Sequence, residues 1–100
     1  MTTMTKKNKY TLEMSSRYRK GLRKMLRRGA DENKIIKAVN ILLSGTPLPP
    51  VYEDHPLHGK FKGFRECHIE SDWLLVYQII EDTLILSLIR TGTHDEVFKD

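Results

Sequence analysis

Eight residues, Trp73–Ile80 (WLLVYQII), limit the fold more than any other stretch. They are apolar at both odd and even positions. A strand of that kind is covered on both faces and lies inside a sheet, not at its edge. Strand-length segments flank it. Phe61–Ile69 precedes it across the turn Glu70-Ser71-Asp72, and Thr83–Ile89 follows across Glu81-Asp82. Turns that short join antiparallel neighbours. Gly63 marks a bend or bulge in the first of the three. Alternation puts Phe64, Glu66 and His68 on one face and Arg65, Cys67 and Ile69 on the other, so the adjacent Cys67 and His68 point apart. Leu84, Leu86 and Leu88 form one face of the third strand. Arg90-Thr91-Gly92-Thr93 then turns the chain into a short terminal segment, His94–Phe98.

Upstream the period changes from two to 3.6. Ser15 or Ser16 caps a helix that runs to Arg28, with Tyr18, Leu22, Met25 and Leu26 on its apolar side. Gly21 inside it costs about 1 kcal/mol relative to alanine, so either packing offsets that cost or the helix bends. Gly29 ends it. Asp31 caps a second helix whose stripe is Ile35, Ile36, Val39, Leu42 and Leu43, and Gly45 stops it. The short link makes an antiparallel hairpin. Lys9–Glu13 fits a short first strand. The predicted architecture is α+β, in the order β-α-α-β-β-β, with the helical hairpin on one face of a small, mainly antiparallel sheet. One hundred residues suit a single domain, 1–100, with 1–8 a frayed N-terminus.

The net charge of +4 is unevenly placed. Ten Lys and Arg stand against Glu13 alone in Met1–Ala30, whereas the remainder is acidic. A local basic block favours a polyanion. A single cysteine rules out an internal disulfide, and Cys67 fits the core. No apolar run has membrane-spanning length, so the expected setting is cytoplasmic.

All four histidines fall in Asp54–Phe98: His55, His58, His68 and His94. His55 ends a loop, Thr46–Pro56, stiffened by four prolines, which can hold it in place without a strand. His68 and His94 lie at strand ends. Histidine exchanges protons near neutral pH. An antiparallel sheet can gather His55, His68, His94 and Asp72 on the face that the helices leave open. A zinc site is disfavoured, because Cys67 and His68 cannot act as a pair. RNA cleavage suits both the histidines and the basic block. RNA carries its own nucleophile, so two acid–base groups and one or two cations suffice, without a metal.

The residues also carry a resemblance. D-H-P-L-x-G at Asp54–Gly59, Gly63 with Arg65, H-I-x-x-D-W at His68–Trp73, L-x-Y at Leu75–Tyr77 and R-T-G-T-H-x-x-x-F at Arg90–Phe98 together resemble the YafQ branch of the RelE/ParE toxin superfamily. The resemblance implies a type II toxin of a toxin–antitoxin system that cleaves messenger RNA in the A site of the translating 70S ribosome, with no cofactor or metal. It implies His55, His68, Asp72 and His94 as the catalytic set, with His94 as general acid and the base open among the other three. Phe98 would stack on a nucleotide base, and Arg90 and Arg65 would stabilise phosphate charge. Arg17, Lys20, Arg23, Lys24, Arg27 and Arg28 would contact ribosomal RNA. The implied partners are a cognate antitoxin, in a hetero-oligomer, and the ribosome with its messenger RNA. Two departures stand out: His58 has no assigned role, and Ser71 occupies a position where proline is common. The competing readings are a ParE-like gyrase inhibitor and a non-catalytic RNA-binding module.

Overall fold

The computed structural model describes residues 8–99. The expected frayed start lies outside them, apart from its last residue. In chain order the elements are β1 (Thr11–Met14), α1 (Ser16–Arg27), α2 (Glu32–Leu43), β2 (His55–Pro56), β3 (Arg65–Glu70), β4 (Trp73–Ile80), β5 (Ile85–Gly92) and α3 (His94–Val97). Single 3-10 turns at Pro50–Tyr52 and Gly59–Phe61 flank β2. The five strands lie in the order β1-β5-β4-β3-β2. Only β1 and β5 run parallel; the other pairs are antiparallel. The sheet is therefore the mixed, mainly antiparallel one that the sequence predicts, with β4 at its centre.

Local chemistry sets the helices. The Ser15 hydroxyl accepts from the Tyr18 amide and the Asp31 carboxylate from the Asn33 amide, so each helix start has a side-chain cap. Tyr18, Met25, Ile35, Val39, Leu42 and Leu43 pack against Cys67, Trp73, Leu75, Tyr77, Leu86 and Leu88 of the sheet. Cys67 is fully buried, as expected, and burial pushes its thiol up to about 12, with Asp54 and Glu66 adding to the effect. Gly21 is explained by packing. A Cβ built there would stand 2.1 Å from the Thr91 carbonyl oxygen, so glycine is what lets α1 lie against β5.

Several boundaries move. β3 starts at Arg65, not Phe61, because Gly63 adopts a left-handed φ of +96° inside a turn and the Phe64 amide donates to the Phe61 carbonyl. β5 starts at Ile85 and runs through Gly92. Leu84 sits in the preceding turn, exposed, with φ +54°, and does not share a face with Leu86 and Leu88. The Arg90–Gly92 turn expected from the sequence is strand. His55 is carried by a strand after all: β2 pairs with β3, His55 facing Glu66, and Pro56 is tolerated at the edge, where its missing amide breaks no ladder. The terminal segment is a helical turn, α3, closed by a capping box between Thr93 and Glu96.

A bulge decides the face that matters. The β4–β5 register shifts between Val76 and Tyr77, so Tyr77 faces Leu88 but Val76 faces Arg90. Simple alternation from Leu86 and Leu88 would turn Arg90 toward the helices. The extra residue inverts the alternation and sends Arg90 to the opposite face. Thr91 then points inward, accepting from Trp73 Nε1 (2.9 Å) and donating to the Leu74 carbonyl (2.7 Å).

Candidate active site

The sheet face away from the helices carries a second, smaller apolar cluster. Leu74, Val76 and Val97 form its centre, and Leu57, Phe64, Ile89 and Phe98 pack against it. Polar groups surround that floor. Registers place His55, Glu66, Val76 and Arg90 in one row across four strands, and His68, Leu74 and Gly92 in the next.

Glu66 is the residue that sequence reasoning missed as a functional group. It is 4% exposed. Its Oε1 lies 3.0 Å from His55 Nε2 and 3.7 Å from His68 Nε2, so one buried carboxylate faces both imidazoles. Its Oε2 has no hydrogen-bond partner among the described residues, a costly state for a buried carboxylate. A glutamate two residues before His68 on the same strand was the available signal. Its burial was not legible until β2 closed over it. His55 Nδ1 also faces the Pro56 carbonyl at 3.1 Å, so both of its ring nitrogens meet acceptors. His68 has the less committed ring.

A second cluster is built on α3. The Asp72 carboxylate accepts from the His94 amide (2.9 Å) and thereby fixes the start of this short helix. The exposed His94 ring lies 5.1 Å from that of Phe98, which meets Phe61 edge-on at 5.3 Å. Arg90 spreads its guanidinium over Phe61 (4.8 Å) and donates to the Val97 carbonyl (2.8 Å). On the other side of α3, Glu96 accepts from Arg28 at 2.6 and 3.1 Å and pairs with Lys24 at 3.1 Å. The Arg28 hydrogen bond, then the Thr93 amide, hold its carboxyl far below the usual range.

Arg65 is not brought to these clusters. It lies on the helix side of β3, where its guanidinium pairs with Asp54 (3.0 Å), and Asp54 also accepts from the Tyr77 hydroxyl. The hydrogen bond to Asp54 raises the Arg65 pKa, while burial, and then Asp54, push the Tyr77 hydroxyl up. The aspartate of D-H-P-L, the arginine after Gly63 and the tyrosine of L-x-Y thus form one clamp. It fixes the chain next to His55, the job the sequence had given to the prolines. Of the basic set, Arg28 and Lys24 are paired with Glu96, and Arg17 donates to the Lys99 carbonyl. Lys20, Arg23 and Arg27 are exposed.

One group among the described residues has geometry for a metal ion. The ligating atoms of His55, Glu66 and His68 lie within 4.8 Å of one another. Two imidazoles and a carboxylate suit a divalent transition metal. The sequence expected no metal, on the ground that Cys67 and His68 diverge; they do diverge, but Glu66 offers a third ligand atom beside His55 and His68. An ion there would occupy both imidazoles and block them from proton transfer.

Against known proteins, the sequence model for the bacterial toxin of type II toxin–antitoxin system, YafQ, matches residues 10–99. This chain belongs to the YafQ family. The mRNA interferase toxin YafQ of Escherichia coli K12 is 41% identical over 88 residues, covering 87% of this chain and 94% of that protein. YafQ in the E. coli DinJ-YafQ toxin–antitoxin complex superposes with a TM-score of 0.82 at 38% identity, covering 91% of this chain and 99% of that one. A metal-bound toxin from Helicobacter pylori gives 0.84 at 44% identity, covering 89% and 99%. Membership of the YafQ family bears out the resemblance read from the sequence. The helical hairpin and mixed sheet agree with these structures.

Proposed function

We propose that this YafQ-family toxin is an endoribonuclease that cuts messenger RNA in the ribosomal A site by attack of the 2′-hydroxyl on the adjacent phosphate. The observation that carries the reading is the sheet face itself, where His55 and His68 flank the buried Glu66 and His94 stands beside Phe98, whose neighbour Phe61 lies under Arg90. His68 and Gly92, the latter two residues before His94, are separated only by the central strand, two strand spacings or about 10 Å.

His68 takes the 2′-hydroxyl proton, because its ring is not locked between two acceptors. The 2′-oxygen bonds to phosphorus, the bond to the 5′-oxygen breaks, and His94 protonates that leaving oxygen. The products are a 2′,3′-cyclic phosphate and a 5′-hydroxyl. Arg90 and His55 offset the charge that builds on the phosphate oxygens. Glu66 and Asp72 are positioning residues. Glu66 orients both imidazoles, and Asp72 anchors the helix that carries His94. Phe98, backed by Phe61, offers an edge and a face for a nucleotide base. The face has few walls, so the protein alone is a weak nuclease and the ribosome supplies substrate orientation.

The setting is the cytoplasm, where ribosomes translate; no helix among the described residues is long and apolar enough to cross a membrane. The partner is an antitoxin that lays an acidic or extended segment over this face. An antitoxin complex that leaves His55 and His94 open would refute occlusion as the inhibitory route. Single-turnover cleavage on programmed ribosomes tests the chemistry. His94→Gln lowers the rate by about 10²–10⁴-fold while ribosome binding persists. A His94→Gln protein that cuts at the wild-type rate removes His94 from the reaction. Codon-independent toxicity with DNA damage and no RNA ends would refute the nuclease altogether.

A further inference from the structure

The basic helix is not one uniform surface. Arg17, Lys20 and Lys24 line a cavity of about 560 Å³ between α1, the end of β5 and α3. Arg90 and Lys99 complete its cationic wall, and Glu96 is its one acidic side chain among the described residues. Arg19 lies on the opposite flank of α1, in a second hollow against β1 and Ser87. Arg23 and Arg27 are exposed and line neither cavity. The block that the sequence offers as a single polyanion surface is thus divided by the helix's own geometry.

Three observations give the cavity a direction. First, it is continuous with the active face through one side chain: Arg90 lines it and also covers Phe61, which touches Phe98. Second, the one carboxylate it shows among the described residues is already neutralised by Arg28 and Lys24, so Glu96 does not repel an anion as an unpaired carboxylate would. Third, the Arg17 guanidinium donates to the backbone carbonyl of Lys99. Carbonyls are neutral acceptors, and a phosphate is a stronger one. The volume falls in the range of sites for small ligands and single nucleotides.

We infer that this cavity is a phosphate subsite for the substrate RNA strand, taking a backbone phosphate next to the scissile one, and is separate from any surface that meets ribosomal RNA. The inference rests on the nuclease reading above and extends it. The strand crosses Arg90 at the point of cleavage, and its neighbouring phosphate sits between Arg17 and Lys20. Interactions of this kind fix register and carry no base preference.

The test uses the full chain and a short RNA that cannot be cut, with a 2′-deoxy nucleotide at the scissile position. Binding is read by fluorescence anisotropy against salt. Arg17→Gln/Lys20→Gln is compared with Arg19→Gln/Arg23→Gln, which removes the same charge from outside the cavity; thermal unfolding checks that both remain folded. The cavity pair should flatten the log–log salt slope by about 0.7 for each phosphate that is no longer neutralised. The outer pair should leave the slope unchanged. Methylphosphonate replacement at one flanking position should weaken binding to wild type but not further weaken binding to the cavity pair. Equal slopes for both pairs, or a cavity pair with wild-type affinity that loses only ribosome pelleting, would overturn the subsite. Normal binding behaviour with no cleavage of ordinary RNA on ribosomes would instead overturn the nuclease reading and leave the subsite standing.

Discussion

Replacing Gly21 by alanine sets two physical terms against each other. On helix propensity alone, alanine in the middle of α1 stabilises by about 1 kcal/mol. The packing says otherwise. The new Cβ would stand 2.1 Å from the Thr91 carbonyl oxygen and 3.2 Å from its carbonyl carbon. Relaxing to an ordinary separation needs a shift of roughly 1 Å or more. The atom that must give way is strand backbone, in a segment whose Thr91 side chain is bonded to Trp73 and Leu74. Inserting one methyl into a tight site costs about 1–3 kcal/mol, and a backbone obstacle puts this case at the upper end. Net destabilisation of about 1–2 kcal/mol follows after the propensity gain is subtracted. Urea unfolding should show a midpoint lower by about 0.5–1 M with an unchanged slope. Because Thr91 lies between Arg90 and Gly92, cleavage should also fall under conditions where the variant is folded. A Gly21→Ala protein as stable as wild type, or more stable, would refute the close approach of α1 to β5.

Cys67, fully buried and with its thiol pushed up to about 12, should resist iodoacetamide at pH 8 in the native protein and react only on unfolding; rapid native alkylation would contradict its burial. The depressed pKa of Glu96 makes its ion pairs stabilising above the ordinary carboxylate pKa of about 4.3, with that stability lost as pH falls toward the folded value. Wild type should therefore exceed Glu96→Gln in stability at pH 6, and the gap should close in acid; a pH-independent gap would refute the linkage. Zinc at micromolar levels should inhibit cleavage by seating at His55, Glu66 and His68, chelator should restore it, and Glu66→Gln should weaken the inhibition.

Much of the fold follows from local rules. Serine and aspartate capped the two helices where their side chains reach free amides, and the doubly apolar Trp73–Ile80 had to be central. The histidines, Asp72, Arg90 and Phe98 were legible as site candidates because their residue types and motif spacing are themselves the signal. Alternation already put Arg65 on the Cys67 face, away from His68; that it pairs there with Asp54 rather than meeting a phosphate was not legible, because Asp54 lies on another segment.

What tertiary structure alone decided is the direction and company of each group. The β5 bulge turned Arg90 from the core to the active face, and alternation counted along a sequence cannot reveal an inserted residue. Burial made Glu66 the shared partner of two imidazoles, and that burial came from β2, a two-residue strand too short to show any period. The sequence set which chemistries were present, since side-chain types and local caps are properties of neighbours along the chain. Which of those chemistries meet was set by pairing across the sheet, between residues that local rules never compare.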